Sequence, residues 1–232
     1  MSDPEWKTID LRGASDEELI AFIFDHPRQL GDDPWYHGEA WEMTGLQTEP
    51  AAIVGFLTRL FGAPEPLLHR FSWLQIDTGI WAMFSAWPSE YFGEAVRGRE
   101  VPWPAREACI DRLPVYYERM VAPALRAAEA DGEGWFMLPD FLAHGYDGTG
   151  GRARRSRDNE DDRRMQDALH TAFQRMLASE NHNVNAAALH GIFHLQHPAG
   201  FGRVRAWLDD RPALHPSVRE YAERALERGH VL

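Results

Sequence analysis

Apolar residues along this chain recur at intervals of three and four, and the strict alternation of a half-buried strand is nearly absent. The pattern predicts an all-α protein. Ser15 is placed to cap a first helix through SDEELIAFIFDHP, with Glu18 at the capping-box position and Leu19, Phe22 and Ile23 on one face. Pro27 ends it. Thr48 is placed to cap a second helix, in which Pro50 falls in the first turn, where a missing N–H is harmless. Ile53, Phe56, Leu57 and Leu60 form its core face. Residues 66–86, PLLHRFSWLQIDTGIWAMFSA, read as one helix broken near Ser72 or as two in sequence. Trp73, Ile76, Ile80, Met83, Phe84 and Trp87 give this region a broad apolar side.

Helical periodicity continues from about Pro104 to Asp131, with Pro114 and Pro123 predicting kinks or a split. Residues 132–151, which include WFMLPDFLAHGYDGTGG, read as irregular. The last third reads as four helices, at about 159–178, 183–196, 199–209 and 216–228, with Pro198, Pro212 and Pro216 at the joints. Such a series suits one all-α domain over residues 1–232. Two arrangements fit: antiparallel helix pairs in a short irregular HEAT-like solenoid, or a curved bundle. No repeat of tetratricopeptide or ankyrin period is visible.

The segment at about 145–158 stands apart, Gly-rich and then basic, and reads as a mobile loop. It lacks the GxxxxGK[ST] pattern of a phosphate loop. Arg152, Arg154, Arg155 and Arg157 therefore read as solvated or paired with acidic surface. Asp158 to Asp162 suit a helix N-terminus, where negative charge complements the macrodipole.

Composition narrows the function classes. The 232 residues carry a net charge of −12, so nucleic acid and anionic membrane surfaces are disfavoured, and a basic protein is the electrostatically easier partner. No apolar run approaches the ~18 residues that span a bilayer, and the N-terminus has no secretory pattern. A cytoplasmic protein is the expectation. The lone Cys109 reads as a small buried hydrophobe.

Candidate chemistry concentrates in NHNVNAAALHGIFHLQHP, residues 181–198. Drawn as a helix, it puts His190, His194 and His197 within ~40° of a common line, joined by Asn183 and Ala187. Val184, Ala188, Ile192 and Leu195 lie opposite, so one face is built to pack and the other can line a groove. His190 and His194 have the i, i+4 spacing that lets two imidazoles reach one ion. His197 lies about 10 Å along the axis from His190, too far to join them. Zinc would need a further ligand, for which His170, His182 and Asp167 are candidates; otherwise no cofactor is expected. Gln75 and Asp77 are polar positions in an otherwise apolar helix. Asp77 either ties one helix to the next or contributes to a site. Trp35 and Tyr36, in DDPWYHGEAWE, either cover the core or form a binding surface.

RFSWLQIDTGIWAMFSAWPSEY is similar to a segment with a QxxxGxW core, and AAALHGIFHLQHP resembles an ALHGLGHL-type helix. Both occur in an uncharacterised bacterial family of HEAT-like helical proteins. The resemblance spans about residues 50–210 and implies an all-α superhelical scaffold without a specified reaction. Here Ile192 and Phe193 replace small residues after the first His and Gly, which argues against a close backbone approach there. The combined expectation is a protein-binding or scaffold protein, in one version an immunity protein-like inhibitor of a basic partner. The alternative is a metal-dependent hydrolase built on the His190/His194 helix.

Overall fold

Ser15 opens helix α1 (Asp16–Phe24) with a reciprocal cap. Its hydroxyl accepts from the Glu18 N–H at 3.3 Å, and the Glu18 carboxylate accepts from the Ser15 N–H at 2.8 Å. The computed structural model describes residues 7–38, 41, 43–85, 91–127, 132–146, 152–153 and 157–229. Trp87 and most of the Gly/Arg-rich segment, including Arg154 and Arg155, lie outside them. Strand β1 (Lys7–Asp10) precedes α1 and pairs in parallel with β2 (Thr44–Gln47). Helix α2 (Pro50–Gly62) follows, preceded by Glu49 and not by Thr48 at the cap position; Pro50 begins its first turn. Ile53, Phe56, Leu57 and Leu60 are all buried.

The break near Ser72 is real. It separates α3 (Glu65–Arg70) from α4 (Trp73–Ser85). Ser72 and Gln75 form the cap between them: the Gln75 N–H donates to the Ser72 hydroxyl at 3.3 Å, and the Ser72 N–H to Gln75 Oε1 at 3.1 Å. Helices α5 (Tyr91–Arg97) and α6 (Trp103–Ile110) lead into a split helix. It consists of α7 (Leu113–Tyr116), a π-helical turn (Tyr117–Val121) and α8 (Ala122–Ala127). Pro114 lies in the first turn, and the carbonyl that Pro123 leaves without its helical donor falls in the widened turn, as the proline spacing requires.

The main departure from the sequence reading is at residues 132–151. Gly134–Ala143 is a helix, α9, in spite of Pro139 inside it. Long-range bonds from two side chains make this possible. Asp77, on α4, accepts from the Gly134 N–H at 3.1 Å and the Trp135 N–H at 2.9 Å, supplying a cap that Glu133 does not. The Trp135 carbonyl, to which residue 139 would donate if it were not proline, accepts from the Tyr117 hydroxyl at 2.5 Å. After α9, β3 (Gly145–Tyr146) pairs antiparallel with β4 (Arg152–Ala153).

Four helices complete the chain: α10 (Glu160–Leu177), α11 (His182–Leu195), α12 (Gly200–Asp209) and α13 (Pro216–Arg228). Asn159 caps α10, and its acidic first turn holds the buried Arg106 through Asp161. Asn181 caps α11. The fold is mostly helical, and α11 lies at its centre, packed against α9, α10, α12 and α13. All residues from Ala187 to Phe193 are buried. On the histidine side of α11, His190 is packed and His194 is partly exposed. Gly191 is the reason α9 can come so close: a Cβ there would stand 2.6 Å from Pro139 Cβ and 2.7 Å from the Phe173 ring. The close backbone approach that Ile192 and Phe193 argued against does occur, one residue earlier. Among the described residues, no helix is long and apolar enough to cross a membrane.

Candidate metal centre

Where α9 crosses α11, three side chains converge. One donor atom from each of Asp140, His190 and His194 lies within 4.8 Å of the other two. His194 Nδ1 is 3.0 Å from Asp140 Oδ1. His144, at the C-terminal end of α9, brings its Nδ1 to 2.8 Å from the same oxygen. His190 turns its Nδ1 to the Tyr221 hydroxyl of α13, 2.9 Å away. Its ring packs on Phe136, with centroids 4.2 Å apart, and edge-on to His194 at 4.5 Å.

Burial sets the electrostatics. The Asp140 side chain is 1% exposed, whereas those of His144 and His194 are 21% and 24% exposed. A carboxylate so deeply buried is costly unless cationic or hydrogen-bonding partners compensate it. The imidazoles of His144 and His194 stand beside it, and a divalent ion would compensate it strongly. Phe136 and Tyr221, both half-buried, flank His190, and the site reaches solvent at the His144/His194 edge. Burial and, second, the Asp140 charge push the Tyr221 hydroxyl above its ordinary value, so it keeps its proton.

The i, i+4 pair His190 and His194 thus meets a carboxylate, but not one of the three ligand candidates drawn from the sequence. His170 stacks on His197 at 4.1 Å and accepts from the Gln174 amide at 2.7 Å. His182 stacks on His215 at 4.5 Å. Asp167 takes Arg157 at 2.9 Å and His197 at 3.0 Å. His197 is off the helix altogether, because Gln196 adopts a left-handed backbone, φ +52°, and ends α11. Asn183 lies half-buried in the capped first turn of α11, two turns from His190.

The other candidates have placements of their own. Asp77 ties α4 to α9, and burial raises its pKa despite the backbone N–H bonds that pull it down. Gln75 caps α4 and donates from its amide to the Phe24 carbonyl at 3.2 Å. Trp35 stacks on His26 at 4.1 Å and meets Trp41 edge-on at 4.8 Å. Tyr36 is buried and, with Arg28, Asp77, Thr78 and Trp81, lines a cavity of about 320 Å³. Cys109 is buried, and desolvation pushes its thiol up to about 12, which leaves it inert as a nucleophile.

Asp140 and His144 escaped the sequence reading because Pro139 made their segment look irregular. A signal was present: DFLAH repeats the i, i+4 spacing of HGIFH, so each of two helices offers a pair of donors one turn apart. No protein-family model matches the chain, and no curated protein or solved structure matches it either.

Proposed function

We propose that the protein binds one divalent transition-metal ion, zinc in the first instance, through Asp140, His190 and His194, and uses it as a hydrolytic centre. The observation that carries this is the convergence of the three donors, from two helices, on a space of atomic size. Zinc bonds of about 2.0–2.1 Å set tetrahedral donors ~3.4 Å apart. The His194–Asp140 pair is already near that spacing at 3.0 Å, and His190 offers a donor within 4.8 Å of both. Two imidazoles and one carboxylate leave a coordination position for water, which is the arrangement of catalytic and not of closed structural sites. The partly exposed His144/His194 edge is where that water and a substrate would enter.

The test is metal content. Protein purified without chelators, and then titrated with Zn²⁺, is expected to hold one ion per chain by elemental analysis and native mass spectrometry. His194→Ala and Asp140→Asn are expected to lose it. Hydrolysis of activated esters or phosphoesters that appears on loading and ceases with a chelator supports the catalytic use. A folded wild-type chain that takes up no ion under these conditions removes the proposal.

Charge supports a second reading, an acidic binding protein with a basic partner, in the manner of an immunity protein. The net charge is −12, and among the described residues Leu30 is the one exposed large hydrophobic, so such an interface would be polar. Affinity for the partner should fall as salt rises; indifference to salt would count against it. As scaffold, the packing of α11 against α8, α9, α10, α12 and α13 favours an irregular bundle around one helix over a HEAT-like solenoid, in which each unit meets only its neighbours.

A further inference from the structure

The metal centre is made by α9 and α11, yet one of its imidazoles is held by a third helix. Tyr221 projects from α13, and its hydroxyl stands 2.9 Å from His190 Nδ1. The ring that carries this hydroxyl is itself fixed, edge-on against Phe193 at 6.2 Å and Phe136 at 6.3 Å. Phe136 also packs on the His190 imidazole, so ring, hydroxyl and imidazole form one interlocked set. A neutral imidazole carries its proton on one nitrogen and a lone pair on the other. With Nδ1 directed at Tyr221, Nε2 is the nitrogen that an ion held with Asp140 and His194 would take.

We infer that Tyr221 is the positioning residue of the centre: its oxygen accepts from His190 Nδ1–H, selects that tautomer, and so presents the Nε2 lone pair to the ion before any ion arrives. This rests on the metal reading above. It makes α13 part of the site without supplying a ligand, and it predicts that metal affinity depends on a hydroxyl that never touches the metal. Partners of this kind typically change metal affinity by about 10–100-fold.

The test compares full-length wild type, Tyr221→Phe and Leu226→Ala, the last a packing truncation on the same helix. Zn²⁺ affinity is read by chelator competition, and ligand geometry by Co²⁺ absorption. Tyr221→Phe should weaken binding roughly 10-fold with an unchanged Co²⁺ band shape, whereas Leu226→Ala should bind like wild type. Long-range ¹⁵N correlation spectra of the metal-free wild type should show His190 protonated at Nδ1, and those of Tyr221→Phe a tautomer mixture. Equal affinity in wild type and Tyr221→Phe overturns the inference while leaving the metal site intact. Nε2 protonation of His190 in the metal-free wild type does the same, and it decides the matter should Tyr221→Phe not fold. A wild type that binds neither ion overturns the metal site and this inference together.

Discussion

Gly191 lies directly against Pro139: a side chain at residue 191 would put its Cβ 2.6 Å from the proline Cβ. Each is the neighbour in sequence of a proposed ligand, His190 on one helix and Asp140 on the other. The contact therefore sets the distance across which carboxylate and imidazoles meet. Gly191→Ala is expected to force α9 and α11 apart and to destabilise the protein by about 1–3 kcal/mol, the usual cost of overpacking. Chemical denaturation with an unchanged m-value would show it, and Zn²⁺ affinity should fall in the same variant.

Pro139 and Tyr117 make a second coupled pair. The Tyr117 hydroxyl satisfies the Trp135 carbonyl that Pro139 cannot serve. Tyr117→Phe should cost about 1–3 kcal/mol by leaving a buried acceptor unpaired. In a Pro139→Ala background the restored N–H takes over that carbonyl, and the cost should shrink. A double-mutant cycle with a coupling of about 1 kcal/mol is the expected result; strict additivity would mean the hydroxyl is not compensating the proline.

Asp77 caps α9 from another helix, so its loss should register in the first turns of α9. Asp77→Ala is expected to cost about 1–2 kcal/mol, and Asp77→Asn, which keeps one acceptor, less. Faster amide exchange in residues 134–140 of Asp77→Ala, relative to α2, would locate the effect at the capped end.

His170 gives the chain an acid sensitivity. Burial, with the nearby His197 adding to it, depresses its pKa from 6.5 to about 4. Between those values the unfolded chain binds a proton that the folded one refuses, so stability is present above about pH 6.5 and is lost as pH falls toward 4. The loss by about pH 5 should be on the order of 2 kcal/mol. His170→Gln should flatten this part of the pH–stability curve, measured by urea unfolding across the window. A variant curve parallel to wild type would assign the acid sensitivity to other groups.

Much of the fold was legible in the residues. The Ser15–Glu18 cap, the break at Ser72, the split around Pro114 and Pro123 and the last four helices follow from spacing and capping chemistry, which act within a few residues. So did the pairing of His190 with His194, because one helical turn fixes it. Of the histidine face drawn from that spacing, His190 is buried while His194 stays partly exposed. Ala187, Gly191 and the imidazoles are small or flat enough to let helices close over that side.

By itself the sequence determined an acidic, mostly helical chain with two histidines one turn apart. Only the tertiary structure decided that residues 134–143 are helical, since the donor and acceptor that make Pro139 tolerable there come from Asp77 and Tyr117, 57 and 18 residues away in sequence. The packing of α9 and of α13 on α11 brings Asp140 to His194 and Tyr221 to His190. Local spacing can set two ligands on one helix; a third from another helix depends on how the helices pack, and here a glycine and a proline in contact set that packing.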